Sequence, residues 1–124
     1  MIEIGIEATR LQAILTGDKT VEACLGKPKY LKIRAGDILS VREDVWLDGA
    51  ITTSHASAVK LRVTQVLYFE TFDEMLDTVG FELAVPNATN HLEAANVYHE
   101  LYSTTDEYEY GVVAMMIEPV QENG

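Results

Sequence analysis

Gly111-Val112-Val113-Ala114-Met115-Met116-Ile117 decides how the rest of the chain is read. It holds six apolar residues in a row after a glycine, with no polar residue in between. A strand with one wet face alternates polar and apolar, so an unbroken run predicts a strand buried on both faces. Something must therefore cover each side of it. Outward from this run, Ala58–Tyr68 predicts a strand, with Val59, Leu61, Val63 and Val66 set against Lys60, Arg62 and Thr64. Ile38–Trp46 predicts another, with Leu39, Val41 and Glu43 opposite Ile38, Ser40 and Arg42, and Asp48-Gly49 is a hairpin turn between the two. Met1–Ile6 alternates at Ile2, Ile4 and Ile6, and Lys19–Leu25 predicts a further short strand.

Helical spacing appears between these strands. Glu7–Thr16 carries Leu11, Ile14 and Leu15 and stops at Gly17. Thr71 with Glu74 three residues on forms a capping-box pattern, which starts a helix that ends near Gly80. His91–Tyr102 places Leu92, Ala95, Tyr98 and Tyr102 on one stripe. A loop is expected around Pro86-Asn87 and an acidic turn over Asp106–Glu109. Strands joined mostly by hairpins around two or three helices predict an α+β fold with a small mixed β-barrel, not a doubly wound sheet. No repeat or linker interrupts the chain, so residues 1–121 are expected to form one domain with a frayed tail at 122–124.

The chain has 124 residues, 48% hydrophobic and 23% charged, which fits an ordinary folded domain. Its net charge of −11 is unevenly spread. All nine Lys and Arg residues fall before residue 63, and twelve of the twenty acids follow it. Lys19, Lys27, Lys29, Lys32 and Arg34 make one weakly basic stretch. Such a chain can accept one anionic or polar ligand there, but not a long duplex held by many neutralised phosphates. No apolar run approaches the ~20 residues of a membrane span, so no membrane contact is expected. Met1–Glu7 lacks a basic segment and carries Glu3 and Glu7, and Cys24 is the one cysteine. Together these predict no signal peptide, no disulfide and a cytoplasmic location.

The densest chemistry lies at Gly17-Asp18-Lys19-Thr20-Val21-Glu22, where a helix ends and a strand begins. Lys19 and Glu22 there either face a cleft as donor and acceptor or are ordinary surface charges on a turn. The upstream glycine of a phosphate-binding loop is missing. His55, His91 and His99 lack zinc-helix spacing, so no metal or cofactor is expected. Ser54-His55 has no flanking elbow glycines, and Cys24 reads as a small apolar strand residue. Tyr98, Tyr102, Tyr108 and Tyr110 sit among acids that repel phosphates, which favours packing over base stacking.

The order of several pieces resembles the ASCH domain of the PUA-like superfamily. These are Ile14-Leu15-Thr16-Gly17-Asp18-Lys19-Thr20-Val21-Glu22, Lys27-Pro28-Lys29-Tyr30, Gly36-Asp37-Ile38-Leu39, Val63–Tyr68, Thr71–Leu76 and Tyr110–Ala114. Gly17, Lys19 and Glu22 match the family's Gly-x-Lys-x-x-Glu-x-Arg signature, and Cys24 stands at its Arg position. The resemblance implies a small PUA-like β-barrel beside a cleft lined by that stretch, with RNA as the general partner. It also implies that some small members remove an acyl group from a modified cytidine with a Lys, a nearby Thr and a distant Glu, and that others are ribonucleases. Lys19 matches the Lys, whereas Glu22 stands where the Thr is expected.

Three expectations follow. The first is a binding module for RNA or a modified nucleoside or nucleotide, with Lys19, Thr20, Glu22, Lys29, Lys32 and Arg42 as ligand-binding residues. The second is a hydrolase on an acylated nucleoside such as N4-acetylcytidine, or a ribonuclease, with Lys19 as base or oxyanion donor and Glu22 activating water. The third is a protein-interaction module using the acidic half.

Overall fold

The computed structural model describes residues 2–47 and 50–120. The turn expected at Asp48-Gly49 and the tail at 122–124 lie outside the described residues. Among the described residues five strands form one sheet: β1 (Ile2–Glu7), β2 (Val21–Leu25), β3 (Ile38–Leu47), β4 (Ala50–Phe69) and β5 (Val112–Pro119). Their order is β1-β3-β4-β5-β2, with β1 parallel to β3 and the other pairs antiparallel. The sheet is mixed and curls into a half-barrel whose outermost strands are β1 and β2. Register shifts between Ser40 and Arg42 in β3 and between Val63 and Gln65 in β4 help it bend.

The run that opened the sequence reading is buried on both faces. Val113, Met115 and Ile117 of β5 point into the half-barrel, among Ile4, Ile6, Leu39, Val41, Leu61 and Val63. Helix α1 (Ala8–Thr16) closes that core with Leu11 and Ile14. Val112 and Ala114 face the other way, with Val21, Ala23 and Leu25 of β2. There they meet α3 (Phe72–Val79) and α5 (His91–Leu101) through Phe72, Met75, Leu76, Ala94, Ala95 and Tyr98. Phe72 stacks on Tyr98 at 4.6 Å and on Tyr102 at 5.4 Å between ring centroids, which confirms the packing role of those two tyrosines.

Three shorter helices correct the expectation of two or three. They are α2 (Pro28–Leu31), α4 (Phe81–Ala84) and α6 (Thr104–Tyr110). The segment expected as an acidic turn is thus helix α6. Ser103 caps it by accepting a hydrogen bond from Asp106 N at 3.1 Å. Its Glu107 is buried and accepts from Phe72 N at 2.8 Å, which ties α6 to the start of α3. The strands are also less hairpin-linked than expected. Among the described pairings, β3 and β4 follow one another directly, whereas β4 and β5 are paired but separated in sequence by α3 to α6.

Candidate functional site

Four segments converge beside the open edge of β2. Helix α1 brings Thr9, Arg10 and Ala13, and the start of β2 brings Glu22. The turn after α4 brings Ala84, Val85, Pro86 and Asn87, and α5 brings Val97 and Tyr98. The junction between α1 and β2 is pinned from three sides. Gly17 takes the left-handed conformation at φ 87°, which glycine adopts without a Cβ clash. Lys19 N then donates to Ala13 O, Thr20 N to Leu83 O, and Ile117 N to Thr20 O, each at 3.0 Å.

This pinning turns the Lys19 side chain inward, where it is only 3% exposed. Its Nζ donates to Val21 O at 2.6 Å and to Ala84 O at 2.5 Å. Glu22 Oε2 lies 3.8 Å from the same nitrogen, an ion pair too long for a hydrogen bond. Burial pulls the Lys19 pKa below its ordinary value. Glu22 opposes that shift, and Arg10 adds to it. The choice left open by the sequence thus falls against two ordinary surface charges. Glu22 Oε2 is itself buried and has no hydrogen-bond partner among the described residues.

Two hollows share Arg10 and Glu22 in their walls. The inner one also holds Lys19 and Tyr98 and has a volume of about 50 Å³. That is room for a few waters, since one needs about 10–15 Å³ on this measure. The outer one measures about 320 Å³ and is lined by Gly5, Ile6, Glu7, Asp44, Leu101 and Tyr102 as well. It reaches the lower end of ligand-pocket sizes. Around it, Glu7 accepts from Thr9 N and Arg10 N as the cap of α1. Asp44 accepts from Arg42 Nε at 2.9 Å, Arg42 Nη2 at 3.1 Å and Ser54 Oγ at 2.6 Å.

The expected site residues separate. Lys19 and Glu22 come together in the cleft. Thr20 lies at its base through its backbone and lines neither hollow. Arg42 stands behind Asp44 at the rim, paired with Asp44 and with Glu3. Lys29 and Lys32 lie on α2 and just beyond it, exposed and outside both linings, with Lys29 Nζ 5.4 Å from the Tyr30 ring. Cys24 is buried among the barrel's apolar residues, and burial pushes its thiol pKa up, as expected of a packing residue. Ser54 serves Asp44 while His55 pairs with Glu43, so they form no catalytic relay together. Among the described residues no cluster of His, Cys, Asp or Glu could hold a metal, and no helix is long and apolar enough to cross a membrane. Sequence reasoning missed Arg10, Asp44 and the Ala84–Asn87 wall, because only the fold brings them to β2. Arg10 gave one signal, a charge on the first turn of α1.

The ASCH domain family matches residues 4–121. The chain belongs to the ASCH domain family. No curated protein matches it. Among solved structures it is similar to a hypothetical protein, PH0355, with 30% identity and a TM-score of 0.81 over 95% of this ASCH chain and 97% of that one. It is also similar to protein PF0455 from Pyrococcus furiosus, with 30% identity and a TM-score of 0.74 over 98% of each chain. A mutant of ZmASCH from Zymomonas mobilis shares 12% identity and a TM-score of 0.57 over 96% of this chain and 71% of its own. At that identity the likeness is one of fold.

Proposed function

We propose that this ASCH domain binds one unpaired nucleobase unit in the Lys19–Glu22 cleft, as a nucleoside, a nucleotide or a residue of single-stranded RNA. One observation carries the reading: Glu22 lines both hollows with a carboxylate of which one oxygen, the buried Oε2, has no hydrogen-bond partner among the described residues. Leaving a buried acceptor unmade costs about 1–3 kcal/mol, so a donor from a ligand or water belongs there. Lys19 stands within ion-pair reach of Glu22, and its own two carbonyl contacts fix the ammonium. Nucleobases carry N–H donors beside acceptors on their exposed edges, the chemistry used to read unpaired RNA. Family membership supports the same class of partner. Calorimetry with nucleosides and short single-stranded RNA tests the reading. Binding is expected in the wild type and should weaken in Glu22→Gln, which trades the charged acceptor for a weaker amide. Wild-type protein that binds none of these ligands would defeat it.

A second reading, hydrolysis of an acylated nucleoside such as N4-acetylcytidine, draws on the water-sized inner hollow beside Glu22. Glu22 would activate the water and Lys19 would stabilise developing negative charge. Lys19 suits that role better than the role of base, because two carbonyls already accept from its nitrogen. Under this reading Glu22→Gln abolishes turnover while binding persists. Ribonuclease action would show instead as cleavage of single-stranded RNA lost in the same variant.

A further inference from the structure

Arg10 stands in the wall of the cleft with its charged end free of side-chain partners among the described residues. It lines both hollows and is half-buried. Its backbone N–H donates to Glu7, but among the described residues its guanidinium makes no hydrogen bond or ion pair. The other charges around the two hollows, Glu22 apart, are occupied. Glu7 caps α1, Asp44 takes Arg42 and Ser54, and Lys19 takes two carbonyls. Two groups remain, the Arg10 fork with its donors and the Glu22 carboxylate, whose Oε2 makes no hydrogen bond among the described residues. Arg10 and Glu22 line the same hollows without pairing with each other, and the cation within ion-pair reach of Glu22 is Lys19.

We propose that Arg10 is a specificity-determining residue that donates to a neutral carbonyl or ring-nitrogen edge of the ligand, while Glu22 takes the adjoining N–H. The inference rests on the nucleobase reading above and deepens it. A planar fork and a carboxylate held apart match a flat edge that offers an acceptor and a donor side by side. Phosphate fits less well. Glu7, Glu22 and Asp44 line the same outer hollow, and the protein as a whole carries −11, so a phosphate gains little net attraction there. The site therefore favours the base over the backbone of its ligand.

Calorimetry tests this with adenosine, guanosine, cytidine, uridine and their 5′-monophosphates on wild type, Arg10→Gln and Arg10→Lys. Wild type should bind at least one nucleoside, and no less tightly than its monophosphate. Arg10→Gln should lose about tenfold or more in nucleoside affinity, the scale of one good bidentate contact. Arg10→Lys keeps the charge but not the fork and should lose nearly as much. The ligand-free melting temperature of Arg10→Gln should not fall, since the Arg10 guanidinium serves no protein partner among the described residues. Unchanged nucleoside affinity in Arg10→Gln overturns the Arg10 assignment and leaves the nucleobase reading standing. So does a lowered ligand-free melting temperature in that variant. A monophosphate bound much more tightly, with the gain lost in Arg10→Gln and kept in Arg10→Lys, makes Arg10 a phosphate clamp and overturns the neutral-edge assignment. Absence of nucleoside binding to wild type overturns the Arg10 assignment, and the nucleobase reading falls with it only if short single-stranded RNA also fails to bind.

Discussion

Lys19 does two things with one ammonium. It joins the start of β2 to the end of α4 through Val21 O and Ala84 O, and it holds Glu22. Replacing it by Met keeps the stem but leaves two buried carbonyls and a carboxylate unmatched. Removing one partner of such a buried set costs about 3–5 kcal/mol, so Lys19→Met should lower the unfolding free energy by that amount, read as a lower urea midpoint at unchanged slope. Asp44 gives a pH-dependent counterpart. Hydrogen bonds from Arg42 hold its carboxyl below the usual aspartate range, burial opposes them, and the Ser54 hydroxyl adds to them. A depressed folded pKa means the unfolded chain takes up the proton first as pH falls. The stability from this contact is complete above the ordinary aspartate value and disappears as pH drops through the lower folded value. Urea unfolding across acid pH should show that loss, and Asp44→Asn should flatten it.

Local signals largely determine the elements that flank the site. Thr71 caps α3 by accepting from Glu74 N at 3.1 Å, as the capping-box spacing predicts, and Glu74 reaches back to Glu70 N. Helix α6 is different, because Thr104–Tyr110 carries no apolar stripe. Its reason for folding is Glu107, whose buried carboxylate satisfies the first turn of α3. Glu107→Ala should strand the Phe72 N–H and cost about 1–3 kcal/mol in denaturant unfolding. Glu107→Gln, which keeps an acceptor, should cost less. Strand β1 has a comparable dependence at Gly5, where an added Cβ would overlap Arg42 Nη2 and Asp44 Oδ2. The glycine there makes room for the ion pair at the rim of the outer hollow.

At the scale of the whole molecule, the uneven charge becomes two layers. The base-containing first half builds α1, β1 to β3 and much of the half-barrel. The Lys- and Arg-free remainder supplies α3 to α6 and β5. The cleft lies where the two layers meet, between α1, β2 and α5. Its lysine and arginines are absorbed by carbonyls and carboxylates or, in Arg10, turned into a wall, which leaves no basic track along the cleft for a polyanion. Duplex RNA should therefore show no binding by fluorescence anisotropy at physiological salt. Any single-stranded binding should weaken with salt by no more than about two phosphates' worth of slope. A steep slope or tight duplex binding would contradict this picture.

Sequence alone determined the α+β class, the doubly buried β5, the main helices and the prominence of Lys19 and Glu22. Each of these is written in local form, as periodicity, caps, glycine stops or a short signature. Only the tertiary structure decided that Lys19 is buried, that Glu22 has an unmet oxygen, and that Lys29 and Lys32 stand apart. It alone brought Arg10, Asp44 and the Pro86-Asn87 turn to the walls of the cleft. The reason is physical. Burial and hydrogen-bond satisfaction depend on which distant segments pack together, and the partners of Lys19 include a carbonyl 65 residues away.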